Sequence, residues 1–208
     1  MVRDKKLPRL ELRERNSRYG RLAEQNETSP MANEYIADLK KWVGELIRKR
    51  EAGGEIGLNR AVDLISKHYS VHHHEVAIFV LSADARFLKF VVPEKLQAVG
   101  QIPLTSTNSL AARTARDKRP EVINHFSVVP HASVFEAVPL VEEQRGEPIQ
   151  KIMSAPMIFE KKLIGVIQIS RKGPTAAEAG ADFTHPELRE LKIIADTVAP
   201  CISLCIKE

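Results

Sequence analysis

Apolar residues recur at steps of three and four along the first patterned stretch of the chain. Ile36, Leu39, Val43 and Leu46 are separated by charged and polar residues, which is the pattern of an amphipathic helix. The apolar stripe advances by about seven residues per two turns, a repeat that suits a seam between helices. We therefore predict a helix over residues 30–53, where two consecutive glycines end it.

Short apolar runs and polar capping residues predict the remaining elements. Residues 76–81 are β-branched and nearly continuously apolar, which is typical of a central strand covered on both faces. Residues 163–170 have the same character, so we expect these two strands to be adjacent and internal. The other predicted elements are a helix over 58–69, strands over 87–92, 101–104, 121–124 and 152–159, a helix over 107–117, and a closing helix capped by Thr184 and kinked at Pro200.

These elements predict an α+β fold: a central antiparallel sheet of five or six strands with flanking N- and C-terminal helices. Pro103 assigns the strand over 101–104 to an edge, since proline has no N–H to donate to a central ladder. The apolar and polar patterns divide the chain into three segments. Residues 1–29 form a polar tail, residues 30–53 an amphipathic helix, and residues 55–208 the sheet-containing domain.

Several segments resemble the GAF domain family. Residues 154–169 read Ser-Ala-Pro-Met-Ile-Phe-Glu-Lys-Lys-Leu-Ile-Gly-Val-Ile-Gln-Ile, which is similar to the last two strands of that family. Residues 109–124 look like its short helix and following strand, and residues 191–200 are similar to its C-terminal helix. The similarity spans roughly residues 55–206. It implies a GAF-like sheet with helices on one face, a small-molecule pocket on the other, and dimers held by terminal helices.

The composition and charge of the chain argue against several classes of function. The chain carries 43% apolar and 28% charged residues, enough to build a core. Its formal charge is +4, but residues 1–29 hold eight basic against five acidic residues, so the rest is nearly neutral and nucleic acid is not expected as a partner. No apolar run reaches membrane-spanning length and the N-terminus lacks a secretory pattern, so we expect a cytoplasmic protein.

No catalytic or metal site rises above background, so we do not expect an enzyme, and the sequence does not identify a cofactor. No Gly-rich phosphate loop occurs, and the Ser, His and acidic residues of 125–136 lack a nucleophile-elbow sequence. The Asn-Lys pair of cyclic-nucleotide-binding GAF domains is missing. Cys201 and Cys205 lie on the closing helix, away from the pocket position that bilin-binding domains or free methionine sulfoxide reductases need. They are packed hydrophobes, a redox pair or an intersubunit disulfide.

The long connection over 125–148 and the short helix are expected to cover the pocket, which places a ligand between the sheet and residues 107–141. His125 and His131 are open to three interpretations: pocket lining, haem ligation or an ordinary surface loop. The three histidines of 72–74 are a polar strand entrance or, alternatively, metal ligands. The candidate ligand-binding residues are Phe79, Phe90, Ser109, Asn124, His125, Ser127, His131, Phe135 and Ser154.

The apolar stripes on the first and last helices predict a homodimer. The first helix has the least surface left to bury within one subunit, so replacing Leu39 and Val43 by Glu should give monomers. The predicted interface residues are Ile36, Leu39, Val43, Leu46, Leu191, Ile194, Val198 and Ile202.

The sequence thus predicts a small-molecule-binding regulatory or sensory domain that dimerises and passes a signal to a separate partner protein. The alternative is a degenerate domain that only dimerises and docks a partner, with a pocket filled by its own side chains. The sequence does not identify the ligand.

Overall fold

The computed structural model describes residues 30–51, 57–131 and 146–205, and it confirms the predicted α+β class. The helices that it describes are α1 (Pro30–Glu51), α2 (Asn59–Tyr69), α3 (Leu110–Asp117) and α4 (His185–Cys205). The strands are β1 (Val76–Leu81), β2 (Phe87–Val92), β3 (Gln101–Pro103), β4 (Glu121–Ile123), β5 (Ile149–Phe159) and β6 (Lys162–Lys172). The predicted tail over residues 1–29 lies outside the described residues.

A single six-stranded sheet has the order β3-β2-β1-β6-β5-β4, and every neighbouring pair is antiparallel. The prediction that residues 76–81 and 163–170 form adjacent inner strands is confirmed, since Ile78 pairs with Ile167. β3, which contains Pro103, is an edge strand as predicted. No helix of the described segments is both long and apolar enough to cross a membrane.

The hairpin between β5 and β6 closes more tightly than predicted. Phe159 pairs with Lys162, so the turn has two residues, Glu160 and Lys161, rather than three. Both have positive φ angles, 49° and 63°. Two left-handed residues make the type I′ geometry that matches strand twist, although Gly or Asn usually occupies these positions. The local sequence therefore gave little indication of this turn.

The two faces of the sheet have different partners because successive side chains of a strand alternate between them. Ile78, Ile167 and Ile169 lie in the main core with apolar residues of α1, α2 and α4. On the opposite face, Phe79 and Val166 belong to a smaller cluster with the alanines of α3. The three long helices therefore cover one face, and the short helix α3 covers part of the other.

The predicted dimer interface is buried within the subunit. All eight of its residues are buried in a single chain, because α1 packs against α4. The thiol of Cys201 lies 3.7 Å from the carbonyl oxygen of Val43, and the rings of Tyr35 and His68 stack with centroids 4.1 Å apart. The premise that α1 has the least surface left to bury within one subunit, so that a second subunit must cover its stripe, is therefore wrong. Glutamates at Leu39 and Val43 would disrupt the core, and the homodimer itself stays a prediction.

The N-terminus of α4 (His185–Cys205) has the predicted cap. At its N-terminus, Thr184 and Glu187 form a reciprocal capping box: Glu187 N–H donates to Thr184 Oγ1 at 3.3 Å, and Thr184 N–H donates to Glu187 Oε2 at 2.6 Å. This confirms the predicted cap. Near the other end, the helix continues through Pro200 to Cys205.

Candidate ligand-binding site

A cavity of about 280 Å³ lies between the sheet and the segment that carries β3 and α3. This volume is close to the lower end of the range for small-molecule sites, roughly 300–1,000 Å³. The cavity is on the sheet face opposite the three long helices. Its location agrees with the predicted ligand position between the sheet and residues 107–141.

The cavity exists because the core on this face is split into two clusters. Phe79 and Phe90 belong to one, while Phe126 and Ile152 belong to the other. Between the clusters the sheet presents Ala77 together with polar side chains, so no large apolar side chain of the described strands fills the space. Described lining residues from these walls are Ala77, Phe79, Phe90, Leu96, Ile102, Leu110, Ala111, Phe126, Ile149 and Ile152.

A buried chain of hydrogen bonds holds the polar floor in place. Thr114 of α3 donates its hydroxyl to Ser154 Oγ at 2.7 Å, and Gln168 Nε2 donates to the same oxygen at 3.1 Å. Ser154 is fully buried, whereas Gln168 lines the cavity. Because Ser154 holds the Nε2 end of the Gln168 amide, the hydrogen bond fixes the orientation of this side chain at the cavity.

Glu75 joins the start of β1 to the end of β6. Its Oε2 accepts the backbone N–H of His72 at 2.7 Å, and its Oε1 accepts the backbone N–H of Lys172 at 2.6 Å. Ser170 Oγ donates to the carbonyl oxygen of Glu75 at 3.1 Å. Although Glu75 lines the cavity, both of its carboxylate oxygens bind the backbone, so the side chain has a structural role.

His74 lies at the same end of the cavity. Its ring stacks on the ring of His72, with the two centroids 5.2 Å apart. His73 turns away from the cavity, and its Nε2 lies 3.0 Å from Oδ1 of Asp63. Burial lowers the pKa of His74 below its usual 6.5, and the positive charge of Lys172 lowers it further. The imidazole is therefore neutral at pH 7.

Four of the predicted ligand-binding residues surround the cavity: Phe79, Phe90, Ser109 and His131. Ser109 is the N-cap of α3, and its Oγ accepts the Ala112 N–H at 3.2 Å. His131 packs on Phe126 with ring centroids 4.2 Å apart. Phe135 lies outside the described residues.

The other predicted site residues do not line the cavity. Ser154 is beneath its floor, and His125 and Ser127 are exposed to solvent. Asn124 turns instead to Phe183, whose N–H donates to Asn124 Oδ1 and whose carbonyl oxygen accepts from Nδ2, each at 2.9 Å. This pair of bonds tethers the segment before α4 to the end of β4.

We expect Asn124→Ala to lower the free energy of unfolding by roughly 1–3 kcal/mol, because it removes both hydrogen bonds to Phe183. Its exposed neighbour provides the control: His125→Ala should change stability by less than about 0.5 kcal/mol. Urea denaturation of the two variants measures both effects. Equal stabilities would contradict the tether.

Gln168, Lys172 and His74 line the cavity but were not predicted to do so. The sequence did carry a signal for the first two, since Val166, Gln168, Ser170 and Lys172 occupy every second position of β6 and become polar toward its end. A polar row on an inner strand marks a face that the core does not fill. The sequence did not show which face of the sheet this was, because that depends on where α3 packs.

A six-stranded antiparallel sheet is covered by long helices on one face and encloses a cavity under a short helix on the other, and this arrangement defines a class of α+β domains. The chain belongs to the GAF domain family: the family model matches residues 57–202. This confirms the resemblance of the hairpin and the short helix. No curated protein matches the sequence.

Solved structures share the fold at low sequence identity. The GAF domain of an Acinetobacter phosphoenolpyruvate-protein phosphotransferase is 13% identical, with a TM-score of 0.56, over 84% of this chain and 94% of that one. The free methionine-R-sulfoxide reductase of Neisseria meningitidis, solved with its substrate, is 12% identical (TM-score 0.56; 86% and 93% covered). Residues 122 to 287 of a methyl-accepting chemotaxis protein are 15% identical (TM-score 0.53; 81% and 96% covered).

Proposed function

We propose that this GAF domain is a sensory or regulatory domain that binds a small molecule in the cavity between the sheet and α3. The observation that carries the proposal is a cavity with aromatic walls and a polar floor, on which hydrogen bonds fix the orientation of the Gln168 side chain. Apolar walls supply binding energy, and a few fixed polar groups select the ligand. Gln168, held by Ser154 and Thr114, is such a group.

Binding is favoured over catalysis because two of the polar groups that line the cavity, those of Ser109 and Glu75, are used by the fold. The hydroxyl of Ser109 caps α3, and both carboxylate oxygens of Glu75 accept backbone N–H groups. No cysteine occurs among the described lining residues. Cys201 is buried beside Val43 in the core on the other face of the sheet.

The degenerate alternative requires the aromatic residues and Met153 to fill the pocket together. Phe79 and Phe90 do pack on each other, with centroids 4.4 Å apart. Met153, however, points to the opposite face and lies in the core with the long helices. Among the residues that the structure describes, the space that a degenerate domain would fill is therefore left open, which favours the ligand-binding function.

We also propose that the domain forms a homodimer and passes its signal to a separate partner protein. The exposed side of α1 carries Lys40, Lys41 and Glu45, because its apolar stripe faces α4. A partner on this side would therefore meet a charged surface. Contacts there would be polar and sensitive to salt.

Native mass spectrometry of the protein purified from its own host tests ligand binding. We expect wild type to retain a small molecule and Ala77→Phe to lose it, because the added ring occupies the cavity. Ala37→Phe, on the exposed side of α1, is the control and should retain it. Circular dichroism checks that both variants fold. A wild-type protein without a bound molecule, or a molecule retained by Ala77→Phe, would contradict the proposal.

A further inference from the structure

We infer that the ligand is an uncharged planar ring compound that donates a hydrogen bond, from an N–H or O–H group, to the side-chain carbonyl oxygen of Gln168. This inference rests on the proposed function and specifies the chemistry of the same site. Three features carry it: the hydrogen bonds of Gln168, the balance of charges along the cavity, and the aromatic walls.

Gln168 supplies a hydrogen-bond acceptor inside the cavity. The residue lines the cavity and is only 8% exposed. Its Nε2 donates to Ser154 Oγ at 3.1 Å, and within the described residues this is the one hydrogen bond of the side chain, so the carbonyl oxygen Oε1 has no donor. Among the same residues, Tyr35 has the only fully enclosed side-chain polar atom that lacks a partner, so Oε1 opens into the cavity. A ligand that donates to this oxygen satisfies it.

Ser154 determines which end of the Gln168 amide opens into the cavity. Its Oγ accepts the hydroxyl of Thr114 at 2.7 Å and the Nε2 of Gln168 at 3.1 Å. Both Ser154 and Thr114 are almost completely buried, so the pair forms a fixed support between β5 and α3. The amide nitrogen is thus held at the floor, and the ligand meets an acceptor rather than a donor.

The other buried polar side chains that line the cavity are used by the fold. Ser170 Oγ donates to the carbonyl oxygen of Glu75 at 3.1 Å, and both carboxylate oxygens of Glu75 accept backbone N–H groups. At the rim, Ser106 donates its hydroxyl to Asn108 Oδ1 at 2.8 Å. Among these described groups, Gln168 is therefore the one to which we assign selection of the ligand.

The charges along the cavity are balanced, which favours an uncharged ligand. Of the described lining side chains that are ionised at every pH near neutrality, one is a carboxylate, Glu75, and one is an ammonium group, Lys172. Burial lowers the pKa of His74 most, and Lys172 lowers it further. Glu75 and Glu147 raise it, so charges of both signs act at this end of the cavity. A charged ligand would lose its hydration without meeting an excess of opposite charge.

The walls define the body of the ligand. The ring centroids of Phe79 and Phe90 are 4.4 Å apart, and those of Phe126 and His131, which form a second pair at the cavity, are 4.2 Å apart. A planar ring against such surfaces gains both apolar burial and aromatic packing. With about 280 Å³ available, the body is limited to a small ring system.

Indole and benzofuran test the hydrogen bond, because the two ring systems have the same shape and benzofuran lacks the N–H group. Titration calorimetry at pH 7.5 should give indole an affinity about tenfold higher or more, the effect of one hydrogen bond to a buried acceptor. Gln168→Met should reduce this preference to about threefold or less, because methionine has no carbonyl acceptor. Gln97→Met replaces an exposed glutamine that does not line the cavity, and this control should keep the preference.

Indole-5-carboxamide and indole-5-carboxylate test the charge, since they differ little in shape. The uncharged carboxamide should bind about tenfold more tightly or better. Benzofuran binding as tightly as indole, or the carboxylate binding as tightly as the carboxamide, would overturn the inference, and loss of that binding in Ala77→Phe would leave the proposed function standing.

If none of the four probes binds, or if binding survives Ala77→Phe, the inference is overturned. The proposed function is then decided separately, by whether wild type retains a molecule from its host in native mass spectrometry. If Gln168→Met does not fold, the two pairs of probes on wild type decide the inference.

Discussion

Replacing Gly165 by alanine is expected to lower the free energy of unfolding by roughly 3 kcal/mol, the upper end of the usual cost of overpacking. Gly165 is in β6 opposite Val80 of β1. A Cβ atom at this position would lie 1.9 Å from the carbonyl oxygen of Phe79 and 2.9 Å from the terminal methyl group of Met157. Met157 is a flexible side chain, but the carbonyl of Phe79 can move only if the two inner strands separate.

Gly44→Ala is the matched control for this prediction. A Cβ atom there would meet only the end of the Arg48 side chain, at 3.5 Å, which is ordinary contact. Because alanine favours helices, the change in α1 should stabilise the protein by up to about 1 kcal/mol. Urea denaturation of both variants measures the difference. Similar stabilities for the two variants would mean that β1 and β6 are not packed as described.

Leu39→Ala should cost roughly 2–5 kcal/mol, the range for truncating a large buried side chain. Leu39 is fully buried in the main core, where α1 meets α4. Since these contacts are within one chain, the loss should not depend on protein concentration. If this stripe formed an interface between subunits, the stability difference between wild type and Leu39→Ala would instead change with concentration.

Lys41→Ala on the exposed side of α1 is the control for Leu39→Ala and should change stability by less than about 0.5 kcal/mol. Thermal unfolding at two concentrations a hundredfold apart distinguishes the possibilities. A concentration-dependent loss in Leu39→Ala would show that the stripe on α1 is a subunit interface after all. A loss below about 1 kcal/mol would show that α1 is not part of the core.

The strands and helix caps could be predicted because their signals are local. Residues 76–81 are apolar on both faces and became an inner strand, Pro103 was confined to an edge, and Thr184 capped α4. Each of these outcomes follows from the alternation of side chains or from the hydrogen bonds of a few neighbouring residues.

The partner of α1 and the composition of the cavity could not be predicted, because both depend on packing between distant segments. The stripe containing Leu39 and Val43 shows that the helix must be covered, but it does not show by which element. Likewise, the alternation on β6 marks Gln168 as part of a polar face, but the sequence does not show that this face lines a cavity whereas Asn124 does not. Only the fold turns Asn124 toward Phe183 and Gln168 toward the cavity.

The most direct test of the central claim is a crystal structure of the protein purified from its own host. We expect electron density for a small molecule between the sheet and α3, in contact with Phe79, Phe90 and Gln168. Density at another position, or a cavity occupied only by side chains of the protein itself, would contradict the proposed ligand-binding function.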